Sequence, residues 1–555
     1  MAQPSDFSDP SAADVDDRLF PQGVASFDPT PDRVLLWTRA PEVDPGTELR
    51  WTVATDPGLD DVVTAGDVPV DAGADHTAVV DVADLSPATT YWYRFSSGDS
   101  HSPVGRTRTL PDGPTPRFRL ATVSCAKYAA APLTVYRSLA EHDVDLVAHL
   151  GDSIYEDGET SGPRPHDPPH AAVTLDDYRR RYAQLRSDPD ARALHQRHPL
   201  VVIWDDHDIA DNAWRGGAKA HDSERDGPWD DRVAAAARAH HEWLPARLRR
   251  PDELRVRWRS LPLGDLAELV VLDTRYVGRD EQADAATSAT LHDPDRSLLG
   301  DEQRRWAYDR IADRTRPWVL VASQVVVNPM TFSVPEFVEA PELLPTGYGV
   351  MEGQVLCTDE WDGYPAERDA LVKEIEQRGG GVVLLSGDVH SSWAFEGPST
   401  AAGDPVTVEF TCPSVTSTPM GQQLPVGGGL LGRLIDDLHH VRFVDLRCFG
   451  YTVVDVTRDE VRAEWWFVDP EDADARRRPG AAWAVRHAEP GRLVERELSG
   501  DGSRDADAST GGSDRPEPPL PDRPDGLGRS RARRERLVRL AAVAAAVVWS
   551  GRRRG

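Results

Sequence analysis

The chain has 555 residues, of which 93 are Asp or Glu and 63 are Lys or Arg, so its formal net charge is −30 at pH 7. A chain of this length is too long for one hydrophobic core and predicts roughly two to four domains. The acidic surface argues against nucleic acid as a stable partner, because a phosphate backbone needs a basic patch to release its counterions. Lysine occurs only at positions 127, 219 and 373. An acidic, lysine-poor surface favours a protein from a high-salt organism, where the short Debye length screens self-repulsion, and a merely soluble acidic protein is the alternative.

The cysteine spacing predicts no disulfide framework, and the first residues show no export signal. The cysteines show neither a CxxC pair nor zinc-finger spacing. Residues 1–18 are polar and acidic and are predicted to be a disordered N-terminus. They contain neither the apolar core of a secretory signal nor a twin-arginine run. Localisation therefore stays open between the cytoplasm and export by a signal outside this sequence.

Residues 19–110 consist of short alternating segments bounded by Asp, Pro and Gly, among them RVLLWTRA, ELRWTVAT and TYWYRFSSG. Period-two alternation in short segments predicts a β-sandwich. The stretch LSPATTYWYRF, Leu85–Phe95, resembles the tyrosine corner of fibronectin type III domains, in which a tyrosine hydroxyl bonds back to the chain that enters the strand. No residue here suggests chemistry, so the segment is predicted to be a structural module.

A second domain is predicted over residues 117–470, after the proline-rich linker PDGPTPR. Apolar segments such as FRLATVSC, VDLVAHLGD, PLVVIWDDHD and GGVVLLSGDVH alternate here with helical segments. This alternation is typical of an α/β domain whose central strands are buried on both faces. The polar residues follow the C-terminal ends of the strands, where α/β sheets bind ligands.

The composition changes twice beyond residue 470. Residues 471–529 are rich in Asp, Gly, Pro and Ser and are predicted to be a disordered acidic tether. Residues 530–555 are basic and then apolar, but the apolar run Leu540–Trp549 is much shorter than the roughly 20 residues that span a bilayer. A weak contact with a membrane surface, a partner-binding helix and a marginal terminal helix are all compatible with this tail.

Four predicted strands end in side chains that can bind metal ions. They are Cys125 after RLATVS, Asp152 and Tyr155 after DLVAHL, Asp205, Asp206 and His207 after PLVVI, and Asp388 and His390 after GVVLL. One such strand end is ordinary, since Asp often caps a helix and a lone Cys is usually a small buried hydrophobe. Buried carboxylates are rare unless they are paired or metal-bound, so four strand ends in one domain predict a shared metal site.

The order of these motifs is similar to that of a known family. Gly-Asp-x-x-Tyr, Trp-Asp-Asp-His-acid and Ser-Gly-Asp-Val-His, after a Ser-Cys strand, resemble the alkaline phosphatase D (PhoD-like) family of metallophosphoesterases. The entry segment GVASFDPTPDRVLLWTRA resembles the N-terminal domain of that family. The resemblance implies an α/β fold, with a four-layer αββα metallophosphoesterase domain preceded by the fibronectin type III-like β-sandwich. It also implies hydrolysis of phosphate esters at a dinuclear centre of Fe³⁺ and Ca²⁺.

Carried over by position, the resemblance assigns the metal ligands. It places Cys125, Asp152, Tyr155 and His390 on the iron, and Asp206 and Asp388 on the second ion, with Asp152 bridging both. Thiolate, phenolate and imidazole suit iron, and hard carboxylate oxygens suit Ca²⁺. The implied reaction is attack by a metal-activated water in line with the leaving alkoxide.

The residues predicted to be catalytic, besides the metal ligands, are His207, Asn212 and Asp205. His207 is expected to face the substrate as the acid for the leaving oxygen. Asn212, the last Asn of the family pattern Asp-Asp-His-Glu-x-x-Asn-Asn, is expected to hold the second metal or the phosphate. Asp205 is expected to accept a hydrogen bond rather than to bind a metal. The chain departs from the pattern at Asp208, where Glu is usual, and at Asp211, where Asn is usual and where the carboxylate adds an anion near the phosphate pocket.

Several interpretations stay open. Arg275 is either a fork that orients phosphate or a structural ion pair. A phosphodiesterase or phospholipase-type activity at the same centre is the nearest alternative to monoester hydrolysis. A zinc-dependent hydrolase is disfavoured because tyrosine is an uncommon zinc ligand. A non-catalytic surface module is disfavoured because every main ligand position is filled.

Overall fold

The structure is a computed structural model that describes residues 15–44, 46–283, 288–330, 332–333, 348–351, 354–397, 404–423, 438–472 and 475–499. The predicted tail at 530–555, its expected membrane contact and most of the predicted tether lie outside the described residues. In the described part of the chain, no helix has the length and apolar character needed to cross a membrane.

The strands of the described residues, in chain order, are β1 (Val24–Phe27), β2 (Val34–Arg39), β3 (Glu48–Ala54), β4 (Val62–Pro69), β5 (Thr77–Val82), β6 (Thr90–Ser97), β7 (Ser100–His101), β8 (Gly105–Arg108), β9 (Arg117–Val123), β10 (Leu146–His149), β11 (Pro199–Val202), β12 (Ala213–Trp214), β13 (Gly217–Ala218), β14 (Arg259–Leu263), β15 (Ala267–Val271), β16 (Trp318–Ala322), β17 (Phe332–Ser333), β18 (Tyr348–Met351), β19 (Gln354–Cys357), β20 (Val382–Ser386), β21 (Ser392–Gly397), β22 (Thr407–Thr411), β23 (Val441–Asp445), β24 (Gly450–Thr457), β25 (Glu460–Phe467), β26 (Arg478–Arg486) and β27 (Leu493–Glu495).

The helices are α1 (Thr134–Ala140), α2 (Leu175–Arg186), α3 (Pro189–Arg197), α4 (Ser223–Asp226), α5 (Trp229–Trp243), α6 (Ser288–Leu291), α7 (Gly300–Ala312), α8 (Pro365–Arg378) and α9 (Met420–Gln423). Local sequence fixes several of their ends. A capping box of Thr174 and Asp177 begins α2, and the Asp188 side chain caps α3. Pro365 begins α8, and Gly379 ends it in a left-handed conformation.

Two large sheets form the centre of the molecule. The first has the order β27-β26-β25-β24-β9-β10-β11-β1-β2-β5, and the second has the order β14-β15-β16-β20-β22-β21-β23. Leu120 of the first sheet and Leu320 and Leu385 of the second belong to one core. On its other face the second sheet packs against α7 and α8, and on the first sheet α1 and α3 contact β24 and β1. The predicted four-layer αββα domain is confirmed.

Parallel strands bring the polar loops to one edge. β9, β10 and β11 are parallel neighbours in the first sheet, as are β15, β16, β20 and β22 in the second. These strands are buried on both faces, as their continuous apolar sequences predict. A parallel bridge between Ser124 and Ser414 joins the end of β9 to the segment after β22. The loops after the parallel strands of both sheets therefore lie together.

The predicted N-terminal sandwich shares one of its sheets with the larger domain. β3, β4, β6, β7 and β8 form a separate sheet that packs on β1, β2 and β5 around a common core. The expected tyrosine corner is present, since the Tyr91 hydroxyl accepts a 2.8 Å hydrogen bond from the Ser86 N–H. However, β1 pairs in parallel with β11, so residues 19–110 are not a free-standing module.

Two predicted boundaries need correction. The first sheet does not close near residue 470, because β26 and β27 extend it through the segment predicted to be a disordered tether. Val485 and Leu493 are buried in the main core, so this segment has the apolar anchors that a tether lacks. At the other end, residues 15–18 are not disordered, since the Asp16 carboxylate accepts a 2.8 Å hydrogen bond from the Ser100 hydroxyl.

Candidate metal centre

The predicted metal ligands lie on loops that follow β9, β10, β11 and β20, and four of them have left-handed backbones. The φ angles are 62° at Cys125, 53° at Asp152, 61° at Asp388 and 50° at His390. A non-glycine residue in such a conformation costs on the order of 1–3 kcal/mol and persists only where the surrounding structure enforces it. Their concentration at one edge of the sheets indicates that the fold holds these side chains in set positions.

A close approach between two loops places Asp152. Gly151 has φ 108°, and a Cβ there would lie 2.3 Å from the Cβ of Asp205. The Gly151 carbonyl also accepts a 3.2 Å hydrogen bond from the Cys125 N–H. Glycine is required at this position, since any side chain would separate the loops that carry Asp152 and Asp205.

The side chains converge on Asp152. Three groups share this residue, and within each group the candidate ligand atoms all lie within 4.8 Å of one another: Cys125, Asp152 and His390; Asp152, Asp206 and His207; and Asp152, Asp205, Asp206 and Asp388. One carboxylate thus joins a thiol–imidazole group to a group of carboxylates. A ligand that bridges two cations needs this arrangement.

Tyr155 completes the first group. Its hydroxyl donates a 3.0 Å hydrogen bond to Asp152 and lies 3.3 Å from Nε2 of His390. The Ser417 hydroxyl donates to the same oxygen at 2.6 Å. All six residues predicted as metal ligands, which are Cys125, Asp152, Tyr155, Asp206, Asp388 and His390, therefore lie together.

The electrostatics of the cluster fit bound cations. Burial, and then the charges of neighbouring acids, raise the pKa values of Cys125 and Tyr155 well above their usual range. Burial and the Asp206 charge likewise raise the pKa of Asp152 against the opposing effect of His207. Oδ1 of Asp206 is buried and accepts no hydrogen bond from any described residue. A metal cation would bind this oxygen and neutralise the surrounding acids, so the residues fit a thiolate-, phenolate- and carboxylate-bound metal pair.

Arg275 lies among four carboxylates. Its side chain is fully buried, and its Nε donates to Asp205. Nη1 lies 2.6 Å from Asp359, and Nη2 lies 3.0 Å from Asp388 and 3.6 Å from Asp206. Because carboxylates already surround the guanidinium, the geometry favours the ion-pair interpretation over the phosphate fork. Asp205 accepts a hydrogen bond from Arg275, and its carboxylate also belongs to one of the three groups that share Asp152.

Two acids near the centre were missed from the sequence. Asp359 accepts 2.6 Å hydrogen bonds from Arg275 and Arg279, and these two charges outweigh burial and lower its pKa. Glu360 is buried, and burial together with the neighbouring Asp388 raises its pKa well above its usual value. Both precede the buried Trp361 in the segment TDEWDGY. The adjacent acids Asp359 and Glu360 beside aromatic residues could have indicated part of the site. They were not selected because they do not follow one of the apolar strands predicted from the sequence, as the predicted metal ligands do.

His207 lies beside the cluster and is partly open to solvent, with 21% of its side chain exposed. Nδ1 donates to Oε2 of Glu156 at 2.7 Å, and its ring centroid lies 4.1 Å from that of Tyr155. Burial opposes a charged ring, but the carboxylates of Glu156, Asp206 and Asp152 outweigh it and raise the pKa of His207 well above its usual value. In the metal-free site these carboxylates therefore favour the charged form of the imidazole.

The segment after His207 carries the other predicted substrate residue. Asn212 has φ 55°, and its N–H donates to Oδ2 of Asp206 at 2.6 Å. The Asp211 carboxylate lies 4.0 Å from Nε2 of His207 and 3.8 Å from Nζ of Lys219. Burial and the charge of Asp206 raise the pKa of Asp211 to about 6. The added acid therefore lies beside Nε2 of His207, the ring nitrogen that does not contact Glu156.

Asp208, the other departure from the family pattern, holds loops together. Its fully buried carboxylate accepts hydrogen bonds from the Ser153 hydroxyl at 2.6 Å and from the Asp205 N–H at 2.9 Å. It thereby ties the loop after β10 to the loop after β11, and its contacts support a structural role.

Comparison with known proteins identifies the family. The sequence profile of the PhoD-like phosphatases matches residues 120–465, and the profile of the PhoD-like phosphatase N-terminal domain matches residues 6–111. The chain belongs to the PhoD-like phosphatase family. It is thus a phosphoric ester hydrolase.

Individual relatives agree with this assignment. Alkaline phosphatase D of Bacillus subtilis (strain 168) is 33% identical over an alignment of 478 positions, which covers 80% of this chain and 77% of that protein. A solved structure of PhoD has a TM-score of 0.76 and 30% identity, covering 87% of this chain and 93% of the other. Purple acid phosphatase PPD1 from yellow lupin seeds, at 12% identity, has a TM-score of 0.52 over 83% of this chain and 74% of its own. This last similarity concerns the fold alone.

Proposed function

We propose that the chain hydrolyses phosphate esters at a dinuclear centre of Fe³⁺ and Ca²⁺. The proposed iron ligands are Cys125, Asp152, Tyr155 and His390, and the proposed calcium ligands are Asp152, Asp206 and Asp388. The observation that carries this proposal is the convergence of a thiol, a phenol, an imidazole and several carboxylates on Asp152. The similarity to alkaline phosphatase D supports it.

The chemistry is divided between the cations and the side chains. When bound, such a metal pair polarises phosphate oxygens and lowers the pKa of a coordinated water, so no side-chain nucleophile is needed. His207 holds a proton next to the centre, and its Nε2 is the ring nitrogen not bound to Glu156. We infer that this atom gives its proton to the leaving oxygen or hydrogen-bonds a phosphate oxygen. Asn212, fixed through its backbone to Asp206, is proposed to help orient the phosphate.

The experiment is a comparison of phosphate release before and after metal removal. Purified protein in high KCl is assayed with p-nitrophenyl phosphate and with bis(p-nitrophenyl) phosphate, which also measures monoester against diester preference. We expect strong chelation to abolish turnover, and Fe³⁺ with Ca²⁺ to restore it. Asp206→Asn is expected to resist restoration, whereas Glu159→Gln, whose carboxylate binds only the nearby Ser161 among the described residues, serves as the control. Full activity in verified metal-free protein would reject the proposal, and restoration by zinc alone would reject the metal assignment.

A further inference from the structure

We propose that Glu156 is a positioning residue that holds His207 with its Nε2 toward the leaving oxygen. The inference rests on the proposed function, in which His207 donates a proton to the leaving oxygen. Glu156 follows Tyr155 directly and is only 2% exposed. The sequence pattern alone assigned it no role.

Both oxygens of the Glu156 carboxylate accept hydrogen bonds from the segment that follows β11. Oε2 accepts the 2.7 Å hydrogen bond from Nδ1 of His207, and Oε1 accepts a 2.8 Å hydrogen bond from the Asp211 N–H. The Glu156 backbone is itself fixed, since its carbonyl accepts a 2.7 Å hydrogen bond from the Ala172 N–H. The Glu156 side chain therefore fixes the positions of both the His207 imidazole and the backbone that leads to Asn212.

The contacts determine the orientation of the imidazole ring. A carboxylate only accepts hydrogen bonds, so Nδ1 must donate, and Nε2 faces away from Glu156. The Tyr155 ring packs against the imidazole with an interplanar angle of 31°, which leaves little room for the ring to turn over. Hydrogen bond and stacking together present one nitrogen to the substrate.

The surroundings of Glu156 favour this role over that of an ordinary structural ion pair. Among the described residues, no Lys or Arg lies within 4.0 Å of its carboxylate, and its ion-pair partner there is His207. A buried carboxylate without a Lys or Arg partner is costly unless another group compensates its charge. Here that group is the imidazole beside the metal centre.

The test uses two esters that share the phosphoryl group but differ in their need for an acid. Turnover of p-nitrophenyl phosphate, which has a good leaving group, is compared with that of ethyl phosphate, whose alkoxide must be protonated. The variants are Glu156→Ala, Glu156→Gln, His207→Gln and the Glu156→Ala/His207→Gln double variant, with Glu159→Gln as the control from the same loop. Iron and calcium are measured in each variant.

The expected result is a selective loss. Glu156→Ala should lower kcat on ethyl phosphate by roughly 10- to 100-fold, and on p-nitrophenyl phosphate by less than about threefold, with metal content unchanged. The loss of kcat on ethyl phosphate in Glu156→Gln should be intermediate, because one amide oxygen can replace only one of the two carboxylate acceptors. The double variant should be no slower than His207→Gln alone, since the two residues act as a unit.

Other outcomes separate the inference from the proposed function. Equal losses on both esters, multiplicative losses in the double variant, or loss of metal in Glu156→Ala would each assign Glu156 a merely structural role and overturn the positioning. If His207→Gln shows the selective loss and Glu156→Ala does not, only the positioning is wrong. A wild-type protein that hydrolyses neither ester rejects the proposed function, and the inference with it.

Discussion

Replacing Arg275 by methionine tests the interpretation of the buried charge network. The guanidinium contacts Asp205, Asp206, Asp359 and Asp388, and removing it leaves these acids buried without its charge. Breaking a buried ion pair from one side typically costs about 3–5 kcal/mol, because an uncompensated charge remains. We therefore expect the free energy of unfolding of the metal-free protein to fall by about this amount.

The contacts show where this cost arises. Asp359 keeps Arg279 and Gln282 as hydrogen-bond donors, so it loses only part of its support. Asp205 loses more, because Arg275 is its only Lys or Arg partner among the described residues. Bound cations should compensate the acids near Asp388, so the loss should be smaller in the metal-loaded protein.

The assay is urea unfolding in the presence of a chelator, followed by tryptophan fluorescence at constant KCl. The matched control is Arg117→Met, which removes an ion pair with Asp455 from a guanidinium that is 47% exposed and should cost less than about 1 kcal/mol. The ion-pair interpretation is refuted if Arg275→Met costs no more than the control. An increased KM with unchanged stability would instead support the phosphate fork.

Three further predictions concern the metal, pH and salt. Tyr155→Phe should shift or bleach the visible charge-transfer band expected of a ferric phenolate, and an unchanged spectrum would remove Tyr155 from the iron. Burial lowers the pKa of His142 to about 2 and those of His149 and His198 to about 3, so below about pH 6.5 the unfolded chain binds protons that the folded chain does not. The stability that each of these three neutral imidazoles contributes should be fully present above this pH and should be lost at about 1.4 kcal/mol per pH unit below it. In urea unfolding, His149→Phe should therefore reduce the pH dependence of the free energy of unfolding below about pH 6 by about 1.4 kcal/mol per pH unit, and an unchanged pH dependence would contradict the account. Raising KCl from about 0.1 M to about 1 M shortens the Debye length from about 10 Å to about 3 Å. If the net charge of −30 is an adaptation to high salt, the urea concentration at the unfolding midpoint should rise with KCl. A midpoint that falls with KCl would argue against this adaptation.

The sequence predicted the features that depend on local pattern. Apolar runs that end in acids identified the central strands, and parallel pairing then brought Cys125, Asp152 and Asp388 to one edge. The sequence carried less information about which strands pair with each other. Nothing local to β1 specifies that it pairs with β11, so residues 19–110 were predicted as a separate β-sandwich domain and the sheet they share with the larger domain was not predicted. The strands β26 and β27 were missed because charged residues surround their few apolar anchors.

The missed parts of the site have a common cause. Arg275 follows a strand that was recognised, but its ion-pair partners depend on loops brought together from distant parts of the chain. Asp359 is 84 residues from Arg275 in sequence, and no spacing rule connects them. Glu156 was visible beside Tyr155, yet its function depends on contacts with His207 and Asp211 that only the fold reveals.

The central claim is that six side chains from four loops hold a pair of unlike metals, and elemental analysis of the purified active protein tests it most directly. We expect iron and calcium in near-equal amounts, with Cys125→Ser losing iron while it retains calcium. Active protein that contains neither iron nor calcium would contradict the account.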